Sequence, residues 1–572
     1  MLFILIAWIY ISLLCWIWGY ALISLFIRIA GNTQKLIPGF CIICFTGLSA
    51  IAVISGLLSL VMPLGNIAAQ FVLLVPALLL VTQKKLRLAL TESFNSMFAG
   101  YRFITGLLAT CLLILLLILG ASLINHPDSI GYHIQTIKWI EEYRVIPGLV
   151  HINTPLGYQG LWYCLCAIFS FKFLHTPAIT FINTTVLVWY LLFLLHEINR
   201  WLPDKKNGRP GNTANAVLYL LLLAISCWSY VQVRLTATSV SPDFIAALYC
   251  WLIFYLLITS KSSGNNAVSY MLLSFLCCTA ITIKLSTFPV CLVILYAVYQ
   301  LALLKKRKAI IFLLVFALII LSPFVTRNII TSGYLFFPSP FPDIVQADWK
   351  LSKALTIAEK QYITSFARAQ HQVITPGVRG AYNAPITRWL PVWWQLRALS
   401  DKLIVGLLLL LLLIALATAG RIVKKGDPPF IFSLLISVAG LVFWFLQAPD
   451  PRFGFGFIIP VEGILIYWCS ARYINNFKDA KNWLLSVMTA FLIIIISYSL
   501  YRVKNYFNAQ YLVAPAGAQK TNFRTIHCNG LTIVIPLEGG CGDAPLPCSY
   551  NEDCNHFSAR GNSITDGFKE KK

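Results

Sequence analysis

Apolar segments long enough to cross a lipid bilayer recur along almost the whole chain. A membrane-spanning helix needs about 20 predominantly apolar residues, and 58% of the 572 residues are hydrophobic while only 11% are charged. By this criterion the chain has about fourteen candidate spans, at residues 3–28, 37–61, 66–82, 103–124, 178–198, 214–233, 244–260, 268–284, 286–303, 309–325, 403–420, 429–447, 457–471 and 483–501. The sequence therefore predicts an all-α polytopic membrane protein.

The basic residues predict how these spans are oriented. Lys and Arg (44) outnumber Asp and Glu (21), and they cluster in short loops, as in cytoplasmic loops rather than nucleic-acid-binding surfaces. If residues 82–102 are cytoplasmic, strict alternation places nearly every other basic cluster on the same side. This requires residues 157–171 to lie in the interface plane rather than to span, and Trp162 and Tyr163 suit that position.

The same alternation divides the chain into five parts. The amino-terminal segment has no basic region before it and is too long for a signal peptide, so it is expected to be a retained span. We expect accessory spans at 1–102, a core at 103–325 with a first extracytoplasmic loop at 125–177, a long extracytoplasmic loop at 326–402, further spans at 403–501 and an extracytoplasmic tail at 502–572. A bacterial inner membrane, with this face toward the periplasm, is the expected location.

Four of the sixteen cysteines lie in the polar tail, at Cys528, Cys541, Cys548 and Cys554. An even number of cysteines in a short segment rich in Gly and Pro predicts two disulfides if the compartment is oxidising. Cys541 and Cys548 are the favoured partners because they are close in sequence. Free thiols and a cysteine-only zinc site are the alternatives.

Ionisable residues concentrate on the predicted extracytoplasmic face, where their cost at membrane depth makes them functional candidates. They are Asp128, His133, Arg234, Asp243, Lys284, Arg327, Asp450 and Arg452. Most have a structural alternative: Asp128 and Asp243 follow prolines and suit helix N-caps, His133 suits the polar face of a helix, and Lys284 and Arg327 suit interfacial anchors. Glu462, inside an apolar run, is expected to be a buried ion-pair partner.

One carboxylate with several cations at headgroup level suits transfer of a sugar from a lipid phosphate to a hydroxyl. The acceptor hydroxyl needs a carboxylate to take its proton. The departing phosphate is already a stable anion and needs positive charge rather than a second acid. A glycoside hydrolase, which uses two carboxylates, would not explain the cations.

The order of "PDSIGYH", an interfacial helix, "SPD" and a Lys between two short spans resembles the GT-C glycosyltransferases. The layout is most similar to that of the aminoarabinose transferases of lipid A and the protein O-mannosyltransferases, and "RNIITSGYLFFPSPF" resembles a run found in many bacterial members. The resemblance, over about residues 103–340, implies a GT-C-like core, an inverting transfer and a polyprenyl-phosphate sugar donor. The acceptor would be a glycan, a lipid or a protein.

The resemblance also implies roles for individual residues. Asp128 matches the catalytic acidic residue of the first loop, Asp243 would line the same cavity, and Lys284 and Arg327 would face the donor phosphate. His133, five residues after Asp128, is a further catalytic candidate from its place on the same face. Arg452 and Arg234 are further candidates for phosphate binding. The family often has Asp-Glu where this chain has Asp128-Ser129, which leaves a divalent cation open as a cofactor.

Two other functions fit a polytopic chain with charged loops. A lipid or solute transporter would normally show internal repeats and polar groups near the bilayer midplane. An O-antigen-type polymerase or ligase would rely on the long loop, which contains Arg368, Arg379, Arg388 and Arg397, and would not need Asp128.

Overall fold

The computed structural model describes most of the chain. The described residues are 1–31, 39–98, 103–176, 179–201, 230–259, 266–370, 381–473, 478–550 and 556–571, with the single residues 222, 372 and 552. The predicted span at 214–233 and Arg379 therefore lie largely or wholly outside them.

Helices dominate the described part of the chain, as the apolar segments predict. In chain order they are α1 (Leu2–Ile29), α2 (Phe40–Leu58), α3 (Ile67–Val81), α4 (Lys84–Phe98), α5 (Phe103–Ala121), α6 (Ile134–Glu142), α7 (Leu161–Ile168), α8 (Phe181–Trp201), α9 (Tyr230–Ala237), α10 (Asp243–Thr259), α11 (Asn266–Ile283), α12 (Cys291–Leu303), α13 (Arg307–Ser332), α14 (Lys353–Ala369), α15 (Ile386–Leu396), α16 (Leu399–Ala417), α17 (Ala419–Lys425), α18 (Pro428–Gln447), α19 (Pro451–Tyr473) and α20 (Lys478–Val503).

Eight helices in the described residues are long and apolar enough to cross a membrane, so the protein is a multi-pass membrane protein. A ninth span is obtained if α3 and α4, which meet at a bend of 96°, are counted together. Three shorter apolar helices, at Thr105–Ala121, Asp243–Thr259 and Ala267–Ile283, correspond to predicted spans and account for part of the difference from the predicted number. Helix α4 lies in a segment that was predicted to be a loop.

The first two helices pack against each other through two glycines. A Cβ atom at Gly19 would lie 1.9 Å from the carbonyl oxygen of Ile43, and one at Gly47 would lie 1.7 Å from that of Cys15. Small residues allow the two backbones to approach this closely. Within lipid, where the hydrophobic effect does not drive helices together, the resulting van der Waals packing stabilises the pair. The pair is also joined to later spans, because Trp8 Nε1 donates to Thr184 Oγ1 at 2.8 Å.

The first loop, the long loop and the tail meet at one end of the helix bundle, here called the loop end. The amide of Leu2 donates to the carbonyl of Leu512 at 2.9 Å, and Arg560 Nε lies 2.8 Å from Asp348 Oδ2. Far along the bundle from this end, Lys306 Nζ donates to the carbonyl of Ala30 at 2.8 Å. The segments that the sequence assigns to one face of the membrane therefore lie together.

The tail departs from the all-α prediction because it forms two small antiparallel sheets. Strands β1 (Phe523–Cys528) and β2 (Leu531–Pro536) pair in one, and β3 (Phe557–Ala559) and β4 (Phe568–Glu570) pair in the other. The consecutive side chains Ile533, Val534 and Ile535 of β2 are buried. The all-α description holds for the membrane part alone.

The tail is held by disulfides, as predicted. Cys541 and Cys548 are bonded to each other, and Cys528 is also disulfide-bonded. Cys554 lies outside the described residues. The favoured pair is therefore confirmed.

The segment at 157–171 does not span, because its helix α7 has eight residues. Its side chains are nevertheless buried inside the protein: Trp162 is fully enclosed and Tyr163 is nearly so. Trp162 Nε1 donates to Asn183 Oδ1 at 3.1 Å. The expected position in the aromatic belt is therefore wrong, because these rings pack against neighbouring helices.

Candidate functional site

Asp128 lies at the loop end, directly before a π-helical turn at Ser129–His133 that leads into α6. Its side chain makes no capping hydrogen bond to this turn. Instead Oδ2 accepts a hydrogen bond from Nη1 of Arg452 at 2.8 Å, across 324 residues of sequence. The N-cap interpretation of Asp128 therefore lacks the contact that it requires.

Asp243, at the first turn of α10, belongs to the same cluster. Its Oδ1 atom is ion-paired with Nζ of Lys284, and its Oδ2 atom lies 3.8 Å from Nε of Arg452. Both cations also lie against the ring of Phe453, with Lys284 Nζ at 3.9 Å and the Arg452 guanidinium carbon at 4.8 Å from its centroid. Arg452 therefore contacts the carboxylates of both Asp128 and Asp243. Lys284 is held by Asp243 and Phe453, so it is more than an interfacial anchor.

Asp450 extends this cluster toward the long loop. Its Oδ1 atom lies 3.7 Å from Nε of Arg452, and its Oδ2 atom accepts from Nη1 of Arg397 at 3.4 Å. We call the six residues Asp128, Asp243, Lys284, Arg397, Asp450 and Arg452 the charge network. It contains three carboxylates and three cations, so its formal charges balance.

The charge network is most accessible at Asp128. The Asp128 side chain is 32% exposed and that of Arg452 24%, whereas Arg397 is 4% exposed. Lys284, at 21%, is intermediate. A ligand approaching from the loop end therefore meets one carboxylate and two cations, while Arg397 and Asp450 support them from inside.

The environment of Asp128 keeps its carboxyl ionised. Burial favours the neutral form, but the neighbouring positive groups, of which Arg452 has the largest effect, together outweigh it and lower the pKa of Asp128 below its ordinary value. A carboxylate held by a cation is a weak base. Loss of the Arg452 contact would raise the pKa of Asp128 and make it a better proton acceptor.

His133 lies beside Asp128 but is enclosed. Its Nδ1 atom lies 3.2 Å from Ser129 Oγ, and its ring stacks on His126 with centroids 6.0 Å apart. Burial lowers the pKa of His133 to about 3, so its imidazole is neutral at physiological pH. The predicted catalytic role of His133 is therefore restricted to neutral hydrogen bonding and packing.

A tyrosine-rich wall adjoins this site, and it includes a carboxylate that sequence reasoning missed. The rings of Tyr132 and His133 are 4.4 Å apart, and those of Tyr132 and Tyr158 are 5.7 Å apart. The hydroxyl of Tyr158 donates to Glu359 on α14. Burial raises the pKa of Glu359, although the hydrogen bond from Tyr158 opposes this. The sequence near Glu359 carries no motif that could have identified it.

Two predicted phosphate-binding residues have other contacts. Arg327 is buried, and its guanidinium donates to Ser59 Oγ at 2.7 Å and to Gln159 Oε1. Its Nε atom has no hydrogen-bond partner in the described part of the chain. Arg234 Nη1 donates to the hydroxyl of Tyr506 at 3.0 Å. No hydrogen bond or ion pair joins either residue to the charge network within the described ranges.

Two of the three described arginines that the sequence singled out in the long loop make contacts within the protein. Arg368 donates to the carbonyls of Ala381 and Tyr382, and Arg397 belongs to the charge network. Arg388 is exposed. These contacts favour structural roles for Arg368 and Arg397.

Two further predicted features concern metals and Glu462. Among the described residues, no group of three or more His, Cys, Asp or Glu side chains is arranged to hold a metal ion. Glu462 on α19 is fully buried, as expected. Neither of its carboxylate oxygens has a hydrogen-bond partner among the residues that the structure describes, so the expected ion pair is not found there.

The tail contacts the turn that follows Asp128. The amide of Gly542 donates to the carbonyl of Ile130 at 2.8 Å, and the hydroxyl of Tyr550 donates to the carbonyl of Gly131. Gln135 Nε2 donates to the carbonyls of Gly542 and Ala544 at 3.1 and 2.9 Å. These hydrogen bonds, here called the clamp, hold the turn after Asp128 against the tail. Asp128 is the most exposed carboxylate of the charge network.

Comparison with known proteins gives one match. The model of a family described as a domain of unknown function, DUF8201, matches residues 1–459. No curated protein and no solved structure matches the chain. The matched range includes every residue of the charge network and ends before the tail. The chain therefore belongs to the DUF8201 family.

Proposed function

We propose that this protein is a GT-C-type glycosyltransferase that moves a sugar from a polyprenyl-phosphate donor to an acceptor hydroxyl. The observation that carries the proposal is the charge network, in which an accessible carboxylate lies 2.8 Å from a partly exposed arginine beside a lysine. Arg and Lys bind phosphate, and a carboxylate can accept a proton from a hydroxyl. The acceptor is a glycan, a lipid or a protein.

The transfer assigns a different task to each group. The acceptor oxygen attacks the anomeric carbon, its proton passes to the carboxylate of Asp128, and the bond from the anomeric carbon to the phosphate oxygen breaks. The electron pair of that bond leaves on the polyprenyl phosphate, which Lys284 and Arg452 stabilise. Attack opposite the departing phosphate inverts the anomeric configuration. Asp243 positions the two cations, because it contacts both.

Arg452 couples donor binding to the activation of Asp128. Its Nη1 atom is hydrogen-bonded to Asp128, while its Nε atom has no hydrogen-bond partner in the described part of the chain. A donor phosphate competes with Asp128 for the guanidinium. When the phosphate takes that contact, the carboxylate loses its main stabilising cation and becomes a stronger base.

Phosphate binding tests the proposal directly. Purified protein in nanodiscs is titrated with polyprenyl phosphate, the carrier without its sugar. Lys284→Ala is expected to weaken binding by about 10-fold or more, because it removes a charge-assisted contact worth about 1.5–3 kcal/mol.

Lys138→Ala is the matched control. This lysine also lies at the loop end and is ion-paired, with Asp543 at 3.1 Å, but it is outside the charge network. Its substitution is expected to leave the affinity unchanged. Equal affinities for the wild type and Lys284→Ala, or no binding by the wild type, would contradict the proposed function.

We also propose that the chain has about fourteen membrane spans and that its loop end is extracytoplasmic. Lys305, Lys306, Arg307 and Lys308 lie around the start of α13, where Lys306 contacts the end of α1. This basic end, remote from the loop end, is expected to be cytoplasmic. The loop end then faces the periplasm of a bacterial inner membrane.

Reporter fusions test this orientation. A periplasm-active reporter fused after residue 510 is expected to be active, and the same reporter fused after residue 306 is expected to be silent. A cytoplasmic signal at residue 510 would overturn the orientation, and with it the extracytoplasmic site.

A lipid or solute transporter is the second candidate, and Glu462 favours it. A carboxylate buried in a membrane-spanning helix is costly, and such residues often mark ion or proton pathways. Glu462 lies ten positions after Arg452 on α19, about 15 Å further along the axis by the helical rise. A transporter using Glu462 would not need Asp128 as a base, so the Asp128→Asn variant separates the two functions.

A further inference from the structure

Helix α15 in the long loop presents an apolar stripe that no described part of the protein covers. Ile386, Leu390 and Trp394 are all exposed, at 48%, 36% and 42%. They are spaced four residues apart, so they follow one side of the helix. An exposed apolar stripe of this kind on a short helix indicates a partner surface.

The side of α15 next to the stripe is fixed to the protein. Trp389 and Trp393 are buried, and Trp393 Nε1 donates to the carbonyl of Pro449 at 2.5 Å. Arg397, directly after the helix, is bonded to Asp450. These anchors set the rotation of α15 and keep the exposed stripe directed away from the bundle.

The stripe is continuous with a surface that faces lipid. Only Arg397 and Ala398 separate α15 from α16, which is a candidate membrane span. Only 17% of the most apolar window of α16 is buried inside the protein, and Leu399 and Leu403 at its beginning are exposed. The apolar stripe of α15 therefore meets the lipid-facing side of a span at its loop end.

The flanking charges and aromatic ring indicate the chemistry of the partner. Nζ of Lys402 lies 6.0 Å from the centroid of the Trp394 ring. Arg388 is exposed on the side of the helix opposite the stripe, which is the side where interfacial helices carry their basic residues. Indole rings are enriched at the headgroup level. Lys and Arg near the surface attract anionic headgroups by about 1 kcal/mol each.

We propose that α15 is a docking surface for the lipid bilayer, in which Ile386, Leu390 and Trp394 enter the interface and Arg388 and Lys402 bind anionic phospholipid headgroups. The helix lies in the membrane plane at the loop end. The inference does not depend on glycosyl transfer. Because Trp393 and Arg397 hold Pro449 and Asp450, this docking also fixes the membrane depth of Arg452.

Lipid quenching tests the proposal without any activity assay. Full-length Leu390→Cys protein is labelled with bimane and reconstituted into nanodiscs that contain lipids brominated near the headgroup. The label is expected to lose most of its fluorescence. The unsubstituted protein, carried through the same labelling, corrects for the native cysteines.

Leu537→Cys is the matched control, because Leu537 is also an exposed leucine, at 60% exposure, but lies on the tail. It is expected to stay unquenched. Similar quenching at positions 390 and 537, or none at 390, would overturn the proposal. Label excimers at position 390 without lipid quenching would assign the stripe to a second copy of this chain instead.

The charge component has a separate readout. Replacing part of the zwitterionic lipid with an anionic phospholipid is expected to increase quenching at position 390. The increase is expected to disappear when Arg388→Glu and Lys402→Glu are introduced into the Leu390→Cys protein. An increase that survives both substitutions would overturn the assignment of these residues to headgroup binding.

Discussion

Replacement of Asp128 by Asn is expected to lower glycosyl transfer by about 10²–10⁴-fold, the contribution of a positioned general base. Asn keeps the size of the side chain but cannot take the acceptor proton. Its neutral amide oxygen also competes less strongly for the Arg452 guanidinium, which Asp128 contacts at 2.8 Å. Binding of polyprenyl phosphate is therefore expected to be at least as tight as in the wild type.

This combination of lost turnover and retained or improved binding is the specific signature of the proposed mechanism. Turnover is followed with a radiolabelled donor and binding by titration in nanodiscs. Asp543→Asn, which removes a carboxylate ion-paired with Lys138 at the same end of the molecule, is the control and should leave both quantities unchanged. Near-normal turnover by the Asp128→Asn protein would exclude Asp128 as the base. Near-normal turnover together with an unstable Asp128→Ala protein would restore the helix-capping interpretation.

Substitution of Gly47 by Ala is expected to prevent normal assembly of the first two spans. The added Cβ would lie 1.7 Å from the carbonyl oxygen of Cys15. Because the obstacle is backbone, no side-chain rotation relieves the clash, and α1 and α2 must separate. We expect a loss of at least about 3 kcal/mol, at the upper end of overpacking effects, seen as a low yield of monodisperse protein and a lower melting temperature.

Gly406→Ala is the matched control for this experiment. Gly406 lies in the span α16, and nothing lies within 4 Å of a Cβ built there. Alanine also has the higher helix propensity, so this variant is expected to be as stable as the wild type or slightly more so. A Gly47→Ala protein that matches Gly406→Ala in yield and melting temperature would refute the close packing of α1 and α2.

The sequence was informative where the signal is local. Hydropathy located most helices of the membrane part, since a span must be apolar over its own length. It missed α4 because the amphipathic segment Lys84–Phe98 has too many polar residues to span. It also predicted the wrong environment for α7, because an apolar segment has the same hydropathy whether lipid or protein covers it. Trp162 is covered by protein.

The candidate site was accessible only in part, because its contacts connect distant parts of the chain. Alternation of the spans placed Asp128, Asp243, Lys284 and Arg452 on one face, and the structure joins these four directly. The same reasoning could not separate them from Arg234 and Arg327, because sharing a face does not imply contact. It gave no indication of Glu359, whose only signal is a tertiary hydrogen bond from Tyr158.

The clamp between the tail and the first loop has a consequence for biosynthesis. The hydroxyl of Tyr550 holds a carbonyl that lies 419 residues earlier in the chain, and Gln135 is bonded to a residue 407 positions later. Ribosomes add residues in order, so every membrane helix is inserted before these partners exist. In the proposed orientation, the turn after Asp128 acquires its contacts with the tail only when the tail has crossed the membrane and its disulfides have formed. A chain at that stage would therefore have all its membrane helices, while the turn after Asp128 still lacked its hydrogen bonds to the tail.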